Sequence, residues 1–184
     1  CYGDPPDLPS FPTRRSSDLV HSINKHLFLT KKNTALAKKH NLYALLNVVK
    51  VGQGEIELCI AGNSVPPLYY SNRKKELRIL DTPSTPTGLF NPRVFRTYSD
   101  KLPFEDGDMM IIFTDGVTEA EMMDGELIEY TRAREQIQKQ IDCRIASAEF
   151  LDQFLSWLTH TSEIQDDLSI VLIVNQGKSI LTSV

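Results

Sequence analysis

Residues 109–119 read MMIIFTDGVTE. Two methionines and two isoleucines run into Phe113, and the apolar run ends at Thr114-Asp115-Gly116. A carboxylate is thereby set where a buried strand emerges. Fifty-one residues beyond Asp115 the order is reversed: Gln165-Asp166-Asp167 leads into the apolar run 168–174 (LSIVLIV). As antiparallel neighbours, the two strands would gather these acids at one edge of a sheet. Carboxylates so gathered repel by roughly 1–4 kcal/mol at about 4 Å, for effective dielectrics of about 80 to 20. A hard divalent cation is the usual reason to tolerate that, because Mg and Mn prefer oxygen ligands. Asp115-Gly116 and Asp166-Asp167 are therefore the candidate metal-binding residues. The competing reading is a plain strand-end turn at Asp115-Gly116, with turn or cap duty for the Asp pair.

A length of 184 residues is about one domain, and 41% hydrophobic against 24% charged side chains is the balance of a globular protein with a substantial core. A net charge of −4 and a pI near 5.6 leave no electrostatic footprint for nucleic acid. The basic runs Lys31-Lys32, Lys38-Lys39 and Arg73-Lys74-Lys75 are short and separated, and read as solvated faces or turns. Cys1, Cys59 and Cys143 are odd in number, far apart and without a CxxC. That fits a reducing, cytoplasmic setting better than a disulfide framework. No apolar run reaches the roughly 18 residues that span a membrane, so direct membrane insertion is not expected, and no signal peptide is evident. Residues 1–19 (CYGDPPDLPSFPTRRSSDL) are rich in Pro, Ser and charge without a period. They are expected to be a disordered or artefactual arm, since SFPTRRSSDL resembles translated sequencing-adapter read-through. The initial Cys reads as a fragment of a longer protein.

Val20, Ile23, Leu27 and Phe28 recur at helical spacing behind Asp18, a candidate cap. Residues 41–51 predict a strand, Gly52-Gln53-Gly54 a hairpin turn, and 55–61 (EIELCIA) an alternating return strand. A second hairpin is expected over 68–71 and 76–80. Residues 81–92 are a proline-rich loop, 94–102 a strand, and 103–108 (PFEDGD) a turn in which Asp-Gly supplies the positive φ. After the central strand 109–114 the period becomes helical, over 129–141 and 147–158. Phe150, Phe154 and Leu158 fall on one face of the latter, Ser147 is a candidate cap, and Trp157 reads as core or edge packing. Antiparallel strands followed by helices predict an α+β layered domain.

Glu119, four residues after Asp115, faces the same cleft if a helical turn starts there, and is otherwise a polar residue of that turn. Asp106 and Asp108 lie at the far end of the strand, at about 3.3 Å per residue well away from Asp115, and are assigned to the turn. His21, His26, His40 and His160 have no HxxxH or HExxH partner and read as surface or cap residues. No GxSxG, P-loop or dinucleotide fingerprint is present, so neither a serine nucleophile nor a nucleotide cradle finds support.

Taken in order, four segments carry a family likeness: AGNSVPPLYY (61–70), TPTGLF (85–90), LPFEDGDMMIIFTDGVTEAEMMDGELI (102–128) and QDDLSIVLI (165–173). They resemble the metal-dependent protein phosphatase (protein phosphatase 2C, PPM-type) family, in its bacterial branch of sporulation stage II E and sigma-factor regulators. The likeness covers roughly residues 20–174. It implies an αββα sandwich, here incomplete at the N-terminus, with a two-metal centre of Mg or Mn at one end of the sheets. By matching motifs, Asp115 and Asp166 correspond to metal-binding aspartates; Asp167 is adjacent, and Glu119 and Asn63 are candidate cleft residues. The implied reaction is hydrolysis of phosphoserine or phosphothreonine by a metal-activated water. The implied partner is a phosphorylated anti-sigma-factor antagonist protein, and a homodimer is a further candidate assembly.

Three departures from the family pattern stand out. The Gly-Asp-x-Ser-Gly-Lys-Gly segment whose aspartate bridges the two metals is absent; Gly3-Asp4 has the wrong sequel. Asn63 stands where the branch has histidine, and the glycine usual after the DGEL run is missing. Residues 20–176 are thus expected to form a partial phosphatase domain, with 177–184 as a C-terminal tail. The alternative is a catalytically inactive phosphatase-fold interaction module in a partner-switching signalling pathway.

Overall fold

The computed structural model describes residues 15–33, 42–62 and 65–177. Along the chain run α1 (Ser16–Asn33), β1 (Leu46–Val51), β2 (Glu55–Ala61), β3 (Leu68–Ser71), β4 (Glu76–Ile79), β5 (Tyr98–Pro103) and β6 (Met109–Phe113). There follow α2 (Asp115–Thr118), β7 (Glu121–Met122), α3 (Glu129–Asp142), α4 (Ser147–Thr161), β8 (Ser162–Glu163) and β9 (Ile170–Val174). The sheet orders are β1-β2-β5, β4-β3-β6-β9 and β7-β8. This is the α+β class expected. The chain divides into two compact units, one of residues 1–50, 57–62 and 84–100, the other of 51–56, 63–83 and 101–184. Among the described residues no helix is long and apolar enough to cross a membrane.

In the first unit, Val20, Cys59, Ala61 and Phe95 form a buried cluster, with Leu46 and Val48 packed against it. Burial pushes the Cys59 thiol up, consistent with a small core residue. The helix begins at Ser16, four residues before the apolar spacing does. The Ser16 N–H donates to the buried Glu57 carboxylate at 3.0 Å, so a distant strand satisfies an open amide of the first turn. Asn24, fully buried, accepts the Gly88 N–H at 2.8 Å and thereby ties α1 to the 85–90 loop. Gly88 has φ +85°, and a Cβ there would lie 2.8 Å from the Leu42 carbonyl oxygen. Only glycine suits that approach.

Three strand expectations need correction. The 41–51 strand is shorter, starting at Leu46, because Ala44 makes only an isolated bridge to Thr87. The strand expected from Val94 starts at Tyr98, since the Val94 and Phe95 N–H groups both turn back onto the Asn91 carbonyl, at 2.9 and 3.0 Å. Residues 56–61 do not alternate: all six are buried, so both faces of β2 are covered.

The second unit is built on β4-β3-β6-β9. β6 runs antiparallel to β3 (Leu68↔Ile111) and to β9 (Met109↔Val174 through Phe113↔Ile170). With a period of two, Met109, Ile111, Phe113, Ile170, Leu172 and Val174 share one face. Ile128, Ile137, Phe150, Phe154 and Leu158 join them in one cluster. Each such fully buried side chain contributes about 1.5–3 kcal/mol of transfer free energy. Trp157 packs at the edge of this cluster, 5.3 Å from the Phe154 ring centre. Ser147 does not cap α4; Ala146 occupies that position without a side-chain bond.

Asp108 is more than a turn residue. It is 1% exposed and accepts the Asn72 N–H (2.7 Å) and the Glu105 N–H (2.7 Å), with the Tyr69 hydroxyl at 3.0 Å shared between it and the Pro103 carbonyl at 2.6 Å. Burial first, and then the Asp108 carboxylate, push the Tyr69 phenol up to about 12. The folded protein therefore holds this proton more tightly than the unfolded chain, whose tyrosines titrate near 10. The contribution is fully present below pH about 10 and is lost as pH rises through about 12. Urea midpoints measured between pH 9 and 12 are expected to fall over that window, and Tyr69→Phe is expected to flatten the fall.

Candidate metal centre

The register Phe113↔Ile170 sets residues 114–116 beside 166–169. Thr114 holds the two strand ends together. Its N–H donates to the Ser169 carbonyl at 3.0 Å, its Oγ1 accepts the Ser169 N–H at 3.0 Å, and the same hydroxyl donates to the Asp167 carbonyl at 3.3 Å. A side chain thus prolongs the ladder where the backbone has begun to turn. The turn is α2, a single helical turn closed by Val117 N–H to Thr114 O (3.1 Å) and Glu119 N–H to Asp115 O (2.8 Å). The Thr118 hydroxyl also donates to the Asp115 carbonyl, at 3.0 Å.

Gly116 is buried against the opposite segment. A Cβ on it would sit 2.5 Å from the Asp167 carbonyl oxygen and 3.3 Å from that of Asp166. The missing side chain is what lets the Asp115 turn close onto the Asp166-Asp167 backbone. The Asp167 N–H donates to Asp166 Oδ1 at 2.7 Å, which fixes the Asp166 carboxylate over its own turn. Asp115 is half-buried, whereas Asp166 and Asp167 are exposed. These segments are brought together; Glu119 stands exposed at the end of α2, and Asn63 lies outside the described residues, as do His40 and Gly3-Asp4. His21 and His160 bond the carbonyls four residues earlier in their own helices, at 2.9 and 2.6 Å, far from any ligand role. A cavity of about 520 Å³ lined by Glu121, Met123, Asp124 and Glu163 includes none of the three aspartates.

Carboxylates and carbonyl oxygens are the donor chemistry that Mg and Mn take. The count is short of a two-metal centre, however: among the described residues no three His, Cys, Asp or Glu side chains converge to hold a metal ion. Sequence reasoning found the aspartates through the apolar runs that carry them. It missed Thr114, whose signal was a β-branched hydroxyl placed between the strand and its Asp-Gly turn.

Residues 13–175 match the profile of the family described as Stage II sporulation protein E (SpoIIE). No curated protein matches the chain. Among solved structures it is similar to the phosphatase domain of the cell fate determinant SpoIIE from Bacillus subtilis, with a TM-score of 0.54 and 14% identity over 92% of this chain and 78% of that one. It is similar to RsbX in complex with magnesium (TM-score 0.56, 15% identity, 88% and 65% covered). The SiaA-PP2C domain of Pseudomonas aeruginosa gives a TM-score of 0.57 at 16% identity, with 86% and 67% covered. At these identities the likeness is one of fold, and the fold is the protein phosphatase 2C type.

Proposed function

Because this chain belongs to the Stage II sporulation protein E family of phosphatases, we propose that Asp115 and Asp166 hold a divalent cation, Mg or Mn, in a serine/threonine protein phosphatase domain. The Gly116 carbonyl and Asp167 supply further oxygens. The observation that carries this reading is the close approach of Asp115-Gly116 to Asp166-Asp167, kept by Thr114 and permitted by a glycine. The segments that carry the aspartates meet backbone to backbone at a strand end, and a cation held by their carboxylates would offset the repulsion of like charges there.

When bound, such a cation supplies an acidified water and offsets charge developing on phosphoryl oxygens. The chain's own part is positional: α2 spends the Asp115 carbonyl on two hydrogen bonds and leaves its carboxylate for the ligand. The substrate class is a phosphoserine or phosphothreonine on a phosphorylated anti-sigma-factor antagonist protein, in a cytoplasmic bacterial signalling pathway. A second reading, an interaction module without turnover, is favoured by one observation: among the described residues no three His, Cys, Asp or Glu side chains converge as a metal-holding group.

Calorimetric titration with Mn²⁺, alongside hydrolysis of a generic phosphate ester, tests the proposal. Saturable Mn²⁺ binding is expected, weakened at least about tenfold, or about 1.4 kcal/mol, in Asp115→Asn and in Asp166→Asn. Turnover by the 184-residue chain is expected to be poor, since the bridging Gly-Asp segment is missing from its sequence. Metal affinity that is absent, or indifferent to both substitutions, overturns the phosphatase reading; antagonist binding that persists without any metal response supports the module.

A further inference from the structure

We propose that the end of the four-stranded sheet remote from Asp115 carries a binding site for a small amphiphilic carboxylate, an alkyl or aryl acid. A cavity of about 440 Å³ opens there, within the roughly 300–1,000 Å³ of small-molecule sites. Met109, Ile141 and Phe150 supply its apolar lining, and Lys75, Arg144 and Tyr70 its polar one. Met109 and Asp115 stand at opposite ends of β6, about 20 Å apart at roughly 3.3 Å per residue, so this cavity is separate from the aspartate pair.

Three observations give the ligand its chemistry. Lys75 and Arg144 line one cavity of mixed polarity together, yet neither pairs with a carboxylate among the described residues. Among the described residues the Lys75 ammonium is bonded only to the neutral Asn72 Oδ1, at 2.7 Å. Tyr70 is 7% exposed, and its hydroxyl makes no hydrogen bond to the protein among the described residues, although the side chain lines the cavity. Burial first, then the Asp142 and Asp108 carboxylates, raise the Tyr70 phenol, so it faces a ligand as a neutral O–H donor. No carboxylate lines the cavity among the described residues, and Asp142, beside Ile141, accepts the Gln138 amide at 2.9 Å. Two cations and one donor above an apolar floor fit a carboxylate with a hydrocarbon body: the Arg fork takes the two oxygens, and the chain enters the floor.

The test is calorimetric titration of the 184-residue chain with octanoate, octanol and octyltrimethylammonium. Octanoate is expected to bind saturably with a Kd below about 1 mM, octanol at least about tenfold more weakly, and the ammonium not at all. Lys75 and Arg144 both hold left-handed backbone, φ 55° and 54°. Asparagine tolerates that region, so Lys75→Asn and Arg144→Asn remove charge without forcing the turn. Each is expected to weaken octanoate about tenfold while leaving octanol unchanged, and Tyr70→Phe to weaken octanoate several-fold. Octanoate that fails to saturate, or that binds no better than octanol, overturns the proposal on the unaltered chain alone. An unchanged octanoate affinity in both charge variants, with thermal midpoints matching the parent, overturns it equally.

Discussion

Asp108→Ala is expected to lose about 3–5 kcal/mol of stability, because two backbone N–H donors bonded to a charged acceptor would be left facing a methyl group. The Asn72 N–H and the Glu105 N–H both end on this one carboxylate, which is 1% exposed, whereas the Tyr69 hydroxyl also reaches the Pro103 carbonyl at 2.6 Å and keeps that acceptor. Each buried donor without a partner costs about 1–3 kcal/mol, and bonds to a charged acceptor are at the strong end of the range. Water cannot simply replace the oxygens where so little surface is reached. The loss is also structural. Asn72 follows β3, Glu105 opens the turn into β6, and Asp108 immediately precedes β6, so the residue ties two neighbouring strands at their common end. For a chain of this length the change corresponds to a fall in thermal midpoint of about 6–20 °C. Asp108→Asn, which keeps one acceptor oxygen but turns an amide toward N–H groups, is expected to fall between the two. Denaturation of Asp108→Ala within about 1 kcal/mol of the parent would show that these bonds are not holding this corner.

The same residue shows what the sequence makes legible and what it does not. The strands around Gly52-Gln53-Gly54, the hairpin at 72–75 and the pairing of β6 with β9 were readable, because apolar period and turn chemistry agree there. So was the meeting of Asp115 with Asp166-Asp167: each lies beside the apolar run of its own strand, and the register of those runs leaves the acids no other edge. Burial of a polar side chain is written nowhere locally. Asp108 reads as a turn aspartate and Glu57 as the polar member of an alternating strand, and the helical spacing of Val20, Ile23 and Leu27 says nothing of Asn24. Their partners lie between 3 and 66 residues away. Strand β2 misled for a related reason, since alternation in sequence assumes one wet face, and both faces of residues 56–61 are covered. Helix α1 begins early because Glu57, not a neighbouring cap, satisfies its first amide. Long-range hydrogen bonds thus account for the start of α1 and for the buried polar residues, a local turn onto Asn91 for the late start of β5, and apolar periodicity for the elements themselves.

Gly116→Ala should lower Mn²⁺ affinity about as much as removing a carboxylate does, although every carboxylate remains. The added Cβ would lie 2.5 Å from the Asp167 carbonyl oxygen and 3.1 Å from its carbon. Both are backbone atoms, so no rotamer change relieves the overlap. The turn at Asp115 or the Asp166-Asp167 segment must move, at a cost of about 1–3 kcal/mol for an overpacked site. Movement works against the Thr114 hydroxyl, which bonds the Asp167 carbonyl and the Ser169 N–H across the same gap. Stability and metal binding are therefore expected to fall together: a thermal midpoint lower by about 2–12 °C, and Mn²⁺ binding weakened about tenfold or more. The contrast with Asp115→Asn is informative. That variant removes charge from a half-buried position without overlap, so its affinity should fall while its midpoint stays close to the parent's. If Gly116→Ala were destabilised but bound Mn²⁺ as tightly as the parent, the two aspartate segments would not share an ion. Their proximity would then be a consequence of strand packing alone.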